Sequence, residues 1–146
     1  MIIKDQSDSQ WLPRIYADKV RTQRTRSVEM DIPERENAAD ILYTLLGIEL
    51  KVGNLRIACP DLATARYLRI FARIGCRQIA VPYNITKISV LADELETAWQ
   101  KTLLMLASEP PRKRSALIKL MRTELNNAGA GEAVPEFRQT TKQRKS

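Results

Sequence analysis

Apolar and polar residues alternate over residues 48–59, and only a Gly-Asn pair at positions 53 and 54 interrupts this alternation. A two-residue loop that begins with glycine is typical of a tight β-hairpin turn. Three apolar pairs would then face each other across the hairpin: Ile48 with Cys59, Leu50 with Ile57, and Val52 with Leu55. Because these side chains all fall on one face, the pattern predicts a half-buried hairpin.

Apolar residues spaced three and four positions apart predict a helix on each side of this hairpin. The first helix is predicted over residues 33–46 and the second over residues 61–74. Each pattern is bounded by residues that favour helix ends: Asp31 and Gly47 for the first helix, and Asp61 and Gly75 for the second. Pro33 also suits the first turn of the first helix.

The rest of the chain predicts one strand and two more helices. Residues 77–83 alternate in polarity and contain Pro82, which indicates a strand end or an edge strand. A long helix is predicted from Asn84 or Thr86 to about Ser108, because two consecutive prolines follow it. A further helix with a basic surface is predicted over residues 111–127.

These elements together predict an α+β fold with basic, flexible termini. A small antiparallel sheet, made of the hairpin 48–59 and the strand 77–83, would pack against two to three helices. The compact core would span residues 31–108 in the order α-β-β-α-β-α, after a basic and partly structured N-terminal arm (residues 1–30). The basic helix 111–127 and a disordered basic tail (residues 128–146) would follow the core.

The charge balance narrows the class of partner. The 146 residues include 24 Lys and Arg against 17 Asp and Glu, which gives a formal net charge of +7. Such an excess favours nucleic acid, an anionic membrane surface or an acidic protein face. No window approaches the ~20 apolar residues that a membrane span needs, so no membrane partner is expected. DNA or RNA is the favoured partner, and a protein partner or a homodimer is the alternative.

Histidine is absent, and Cys59 and Cys76 are the only cysteines. The chain therefore lacks the commonest general base and the commonest transition-metal ligand. Two cysteines are too few for a disulfide framework, which indicates the reducing cytoplasm, and both are expected to be buried as small hydrophobic groups. The prediction is a non-enzymatic protein with no catalytic residue, no metal site and no cofactor.

Basic residues form the candidate binding site. Arg66, Arg69 and Arg73 recur at the spacing of one helical face, and no acid shares that stripe. Arginine suits phosphate because it donates paired hydrogen bonds and keeps its charge. The predicted nucleic-acid-binding residues are Arg21, Arg24, Arg26, Arg66, Arg69, Arg73, Arg77, Arg112, Lys113 and Arg114.

Three functions are compatible with these features. The first is binding to the phosphate backbone of nucleic acid through the arginine stripe and the basic arms. The second is an adaptor that docks on a larger assembly through the exposed hairpin edge or the last helices. The third is a small Mg²⁺-dependent nuclease that uses Glu49 and Lys51 on one strand face. This nuclease would lack an acid on a neighbouring strand, because Asp40 is predicted inside a helix and Asp61 at a helix cap.

Overall fold

The structure, a computed structural model, describes residues 10–131, which form four helices and five strands. In chain order the elements are α1 (Leu12–Ile15), a π-helical turn that continues it (Tyr16–Val20), β1 (Thr25–Glu29), β2 (Ala39–Thr44), β3 (Gly47–Val52), β4 (Leu55–Cys59), α2 (Leu62–Ile74), β5 (Gln78–Pro82), α3 (Ile85–Leu106) and α4 (Pro111–Ala128). Among these helices, none combines the length and the apolar composition that crossing a bilayer would require.

The strands form two antiparallel sheets, β2-β3-β4 and β1-β5, and helices pack against both. The predicted α+β class is therefore confirmed. The predicted β3–β4 hairpin is confirmed in its register as well, with Ile48 opposite Cys59, Leu50 opposite Ile57, and Val52 opposite Leu55. Gly53 takes a φ of +61° in the turn, a conformation that glycine adopts without strain.

The helix predicted over residues 33–46 is wrong, because residues 39–44 form β2 and pair along β3. The helical spacing depended on Leu45 and Leu46 as core residues. Both leucines instead lie fully exposed in the turn between β2 and β3. The apolar residues of β2 pack across the sheet from those of β3, and this tertiary pairing outweighs the local helical pattern.

The order of elements over residues 31–108 is consequently β-β-β-α-β-α, and the predicted order α-β-β-α-β-α is wrong. Gly47, predicted to end a helix, instead begins β3. Its φ of +129° lies in the region that favours glycine, so glycine is required there by the turn rather than by a helix end.

The strand predicted at residues 77–83 exists as β5, but it does not extend the hairpin sheet. It pairs antiparallel with β1, so that Val28 lies opposite Ile79. The prediction of a single sheet is therefore wrong. Local patterning identified β5 as a strand but carried no information on its partner, because the pairing joins segments far apart in the sequence.

One hydrophobic core connects the described elements, and it includes parts of both predicted flanks. The flanking core residues are Trp11, Leu12, Ile15, Tyr16 and Val20 before β1, and Ile118, Met121 and Leu125 in α4. Residues 12–20 of the predicted, partly structured arm thus pack into the core as α1 and the π-helical turn. Residues 1–9 and 132–146, which include most of the predicted basic tail, lie outside the described residues.

Helix α2 lies at the centre of the fold and contacts the three-stranded sheet, α3 and α4. The predicted N-cap is confirmed, because the Asp61 carboxylate accepts a hydrogen bond from the Thr64 N–H at 2.7 Å. Gly75 follows the last turn with a φ of +97°, as predicted for the C-terminal cap.

The carbonyl groups at the C-terminal end of α2 all accept hydrogen bonds, although a helix leaves them without donors of its own. Some of the donors are local, and the others come from two segments that are distant in the sequence. These two segments are α4 and the loop that precedes β2. The pairs are Gly75 N and Cys76 N to Phe71 O (both 2.9 Å), Asn37 Nδ2 to Ala72 O (3.1 Å), Asn37 N to Arg73 O (3.0 Å) and Arg122 Nε to Ile74 O (3.0 Å). This helix end therefore fixes the position of both segments.

Two tyrosine hydroxyls form hydrogen bonds with the edge of β5 that does not pair with β1. Tyr67 donates to the Ala80 carbonyl at 2.7 Å, and the Ala80 N–H donates to the Tyr16 hydroxyl at 2.9 Å. Tyr16 in turn donates to the Gly129 carbonyl at 2.7 Å. Burial raises the pKa of both phenols, so both hydroxyls remain protonated donors. The tyrosines thus take the place of a neighbouring strand.

Both cysteines are buried, as predicted. Burial raises the pKa of Cys76 to about 12 and also raises the pKa of Cys59. Because the thiolate is the reactive form, neither thiol is activated as a nucleophile or a metal ligand.

The Arg35 backbone lies so close to Gly75 that a single methyl group at position 75 should strongly destabilise the fold. A Cβ at position 75 would lie 2.6 Å from the backbone nitrogen of Arg35, whereas a Cβ on Gly53 would meet nothing within 4 Å. Both glycines have positive φ, so alanine at either position costs about 1 kcal/mol or more in backbone strain. We expect Gly75→Ala to lower the free energy of unfolding by about 3 kcal/mol and Gly53→Ala by only about 1 kcal/mol. Equal destabilisation of the two variants in chemical denaturation would contradict the docking of the loop on α2.

The tyrosine pair predicts a second stability effect. Tyr67→Phe leaves the buried Ala80 carbonyl without its donor, which costs about 1–3 kcal/mol in the free energy of unfolding. The control is Tyr43→Phe, because the Tyr43 side chain is exposed, and this change should stay within about 0.5 kcal/mol of the wild type. Urea titration followed by circular dichroism measures both. A destabilisation of the control as large as that of Tyr67→Phe would rule out the proposed role of the hydroxyl.

Candidate nucleic-acid interface

The predicted arginine stripe lies on α2, but its first two members are engaged by carboxylates of α3. Arg66 Nη2 lies 2.8 Å from Glu96 Oε1 and also pairs with Asp93, and Arg69 Nη2 lies 2.9 Å from Glu96 Oε2. Hydrogen bonds from Arg66 to Glu96 and Asp93 raise the pKa of Arg66. The stripe contains no acid within α2, yet the neighbouring helix supplies two.

Arg73, the third member of the stripe, is directed toward the three-stranded sheet. Its Nη2 donates to the backbone carbonyl of Ala39 at 3.1 Å, on the open edge of β2. Burial is the main factor that lowers the pKa of Arg73, and the nearby Arg69 guanidinium lowers it further. Arg66, Arg69 and Arg73 therefore connect α2 to α3 and β2, and binding to phosphate would compete with these interactions.

The three predicted arginines of the N-terminal segment have different surroundings. Arg21 Nε donates to the Ala128 carbonyl at 2.9 Å, so its guanidinium lies at the C-terminal end of α4. A cation there is stabilised by the helix dipole and by the carbonyl groups that lack donors. Arg24 lies just before β1 and Arg26 within it, and both side chains are exposed.

The other four predicted cations lie at the beginning of α4 and just after the end of α2, and three of them form ion pairs. Arg114 forms a two-pronged pair with Glu36, and its Nε–Oε1 distance is 3.0 Å. Arg77 pairs with Asp31 at 3.3 Å and Lys113 with Glu109 at 3.6 Å, while Arg112 is exposed.

Three cations of this region are not among the predicted binding residues. Arg35 falls in the helix that the sequence predicts over residues 33–46, but its backbone lies against Gly75 and its side chain is exposed. Lys119 is exposed on α4, and Arg122 reaches the end of α2. We define the basic region as Arg35, Arg77, Arg112, Lys113, Arg114, Lys119 and Arg122. Only knowledge of the loop position could have added Arg35, because nothing in the local sequence places it beside α4.

The segments that carry the seven cations of the basic region also carry five acids, namely Asp31, Glu34, Glu36, Glu109 and Glu124. Arg35, Arg112 and Lys119 have exposed side chains and form no ion pair within residues 10–131. The region therefore keeps a positive excess after its internal ion pairs are counted, whereas two of the three arginines of the α2 stripe are held by carboxylates of α3 and the third donates to a backbone carbonyl. This difference shifts the candidate interface from α2 to the basic region.

The residues of the nuclease hypothesis lie on the outer face of the three-stranded sheet. Asp40 is on β2 directly opposite Lys51, so the expectation that it lies within a helix is wrong. Glu49 pairs with Arg56 on the adjacent strand at 3.2 Å. Within residues 10–131 no three His, Cys, Asp or Glu side chains lie close enough together to hold a metal ion.

Comparisons of the chain with protein-family models, with curated proteins and with solved structures find no match. No relative therefore assigns a function to the basic region, and the choice between hypotheses depends on the interactions described above.

The ion pairs between α2 and α3 predict a structural role for Glu96. Its side chain is 26% exposed and holds Arg66 and Arg69, so Glu96→Ala leaves two partly buried guanidinium groups without their shared partner. We expect a decrease of about 1–2 kcal/mol in the free energy of unfolding, between the values typical of exposed and of buried pairs.

The matched control is Glu109→Ala, which removes the exposed pair with Lys113 and should change the free energy of unfolding by no more than about 0.5 kcal/mol. Chemical denaturation at low and high salt measures both variants. A Glu96 variant as stable as the wild type would show that these ion pairs contribute nothing to the stability of the fold, and would contradict the structural role of Glu96.

Proposed function

We propose that this chain is a non-enzymatic accessory protein that binds the phosphate backbone of nucleic acid through the basic region. The observation that carries the proposal is the positive excess that remains there after the internal ion pairs are counted. Exposed arginine and lysine side chains on ordered segments supply the donors and the charge that phosphate binding requires. The net charge of +7 adds long-range attraction to a polyanion.

The basic region consists of rigidly placed elements. Arg122 anchors α4 to the end of α2, and the Arg114–Glu36 pair anchors α4 to the loop that carries Arg35. Cations on a fixed scaffold lose less conformational entropy on binding than cations on a flexible arm. Phosphate contacts of this kind position a protein on nucleic acid without reading the base sequence, so the proposal implies low sequence specificity.

The test compares two triple variants that remove the same charge from different surfaces. Arg35→Gln/Arg112→Gln/Lys119→Gln removes the exposed, unpaired cations of the basic region. Lys51→Gln/Lys87→Gln/Lys101→Gln removes three exposed lysines elsewhere. Fluorescence anisotropy with a labelled mixed-sequence DNA duplex and a labelled hairpin RNA measures the affinity between about 50 and 200 mM salt.

We expect the basic-region variant to bind more weakly and to show a smaller dependence of affinity on salt. Each phosphate of duplex DNA that the variant no longer neutralises should lower the slope of log K against log salt by about 0.9. The control variant should keep most of the wild-type slope. Equal effects in both variants would show attraction by net charge alone, and a wild type that fails to bind at low salt would overturn the proposal.

A further inference from the structure

Arg73 differs from the other two arginines of the α2 stripe, because it is partly buried and forms no ion pair within residues 10–131. Its Nη2 donates to the Ala39 carbonyl at 3.1 Å, and this is its one hydrogen bond to the described part of the chain. A guanidinium carries several more N–H groups, and those of Arg73 have no acceptor there. Arg73 therefore keeps both charge and donors that the fold does not use.

The surroundings of Arg73 on α2 also favour an anion. One helical turn earlier, the buried Nε of Arg69 has no hydrogen-bond partner among the described residues. Burial lowers the pKa of Arg73 and the Arg69 guanidinium lowers it further, although the carboxylates of Asp40 and Glu96 act in the opposite direction. A partly buried cation whose charge is incompletely balanced is stabilised by a bound anion.

A cleft of about 300 Å³ lies beside Arg73 and provides room for such an anion. This volume is at the lower end of the range for small-molecule sites, and it corresponds to roughly ten water molecules. Three segments supply the lining, namely α2, the loop that precedes β2, and α3. The lining residues are Arg73 from α2, Glu36 and Asn37 from the loop, and Trp99, Gln100 and Leu103 from α3.

The lining combines polar groups with an apolar surface. The Glu36 carboxylate is held by Arg114 in a two-pronged pair, so its charge is balanced and opposes an anion only weakly. Gln100 has an exposed side chain whose amide can donate to a ligand. Leu103 and Trp99 add the apolar surface. This combination suits a small organic molecule that has an anionic group at one end and an apolar body at the other.

We propose that the cleft binds a small organic anion, whose carboxylate or phosphate group pairs with Arg73 and whose apolar part lies against Leu103 and Trp99. The anion uses the remaining donors of Arg73, so Nη2 keeps its hydrogen bond to Ala39 and the contact between α2 and β2 is preserved. None of the seven cations of the basic region lines the cleft. The proposal is therefore independent of nucleic-acid binding.

An NMR titration of the isotope-labelled full chain measures both the affinity and the location of binding. Phenylacetate and phenyl phosphate are the carboxylate and phosphate probes, and phenylacetamide is the neutral control. We expect at least one anion to shift the indole N–H signal of Trp99 with a dissociation constant of about 1 mM or lower. The signal of Trp11, which does not line the cleft, should stay in place, and Trp11→Phe assigns the two signals.

The probe that binds more tightly identifies the anionic group that the cleft prefers. Binding of neither anion, or equal binding of phenylacetamide, would overturn the proposal. The basic-region variant Arg35→Gln/Arg112→Gln/Lys119→Gln should bind the probe as the wild type does. Loss of probe binding in that variant would assign the anion to the basic region and would likewise overturn the proposal.

Two further pairs of variants test the role of charge in the cleft. Arg73→Gln should weaken binding of the anionic probe about tenfold or more, the loss expected for a charge-assisted hydrogen bond. Its control, Arg56→Gln, removes an arginine that pairs with Glu49 on the three-stranded sheet, and should change the dissociation constant by less than about twofold.

The second pair changes Gln100, because the loss of the Arg73–Ala39 hydrogen bond could itself perturb the fold. Gln100 is exposed on α3, and Glu and Lys both suit a helix there, so both variants should fold. We expect Gln100→Glu to weaken binding of the anionic probe and Gln100→Lys to strengthen it, since the two charges act on the anion with opposite sign. Equal effects of the two substitutions would contradict an anion in the cleft.

Discussion

The hydrogen-bonded end of α2 is the constraint on which the rest of the fold depends. A helix that ends in a protein interior must find donors for its last carbonyl groups, because unpaired buried carbonyls are costly. Here Asn37 and Arg122 supply them from segments that are distant in the sequence. The absence of a Cβ at Gly75 allows the loop to approach closely enough for Asn37 to bond. This one helix end therefore positions α4 and the loop that precedes β2, which together carry six of the seven cations of the basic region.

Arginine side chains also supply donors to acceptors within the fold. Several of them satisfy an internal acceptor, as Arg73 does for β2 and Arg21 does for the end of α4. Arginine suits this role because its planar fork reaches backbone carbonyls while its stem packs against apolar surface. A high arginine content is thus a weak guide to a binding surface in a fold of this size. The cations that remain at the surface after the internal interactions are counted are a better guide.

Sequence patterns predicted the elements whose interactions are local. The β3–β4 hairpin, the Asp61 cap and the extent of α3 followed from short-range turn chemistry and helical spacing. The pairing of β1 with β5 and the use of Arg66 by α3 did not follow, because both depend on interactions between distant segments. For the candidate site, the sequence indicated its chemistry, since arginine and lysine were identified. It did not indicate which cations share a surface.

The incorrect prediction of a helix over residues 33–46 is itself informative. Its spacing required Leu45 and Leu46 to be core residues, yet the turn between β2 and β3 leaves both exposed. A conflict between local pattern and global fold tends to occur where a second requirement acts on the same residues. The uncharged run from Ile41 to Ile48 is such a place, because the pairing of β2 with β3 satisfies its backbone while it leaves the side chains of Tyr43, Leu45 and Leu46 exposed. The local pattern therefore failed at the one turn where the fold does not bury the apolar residues that the sequence supplies.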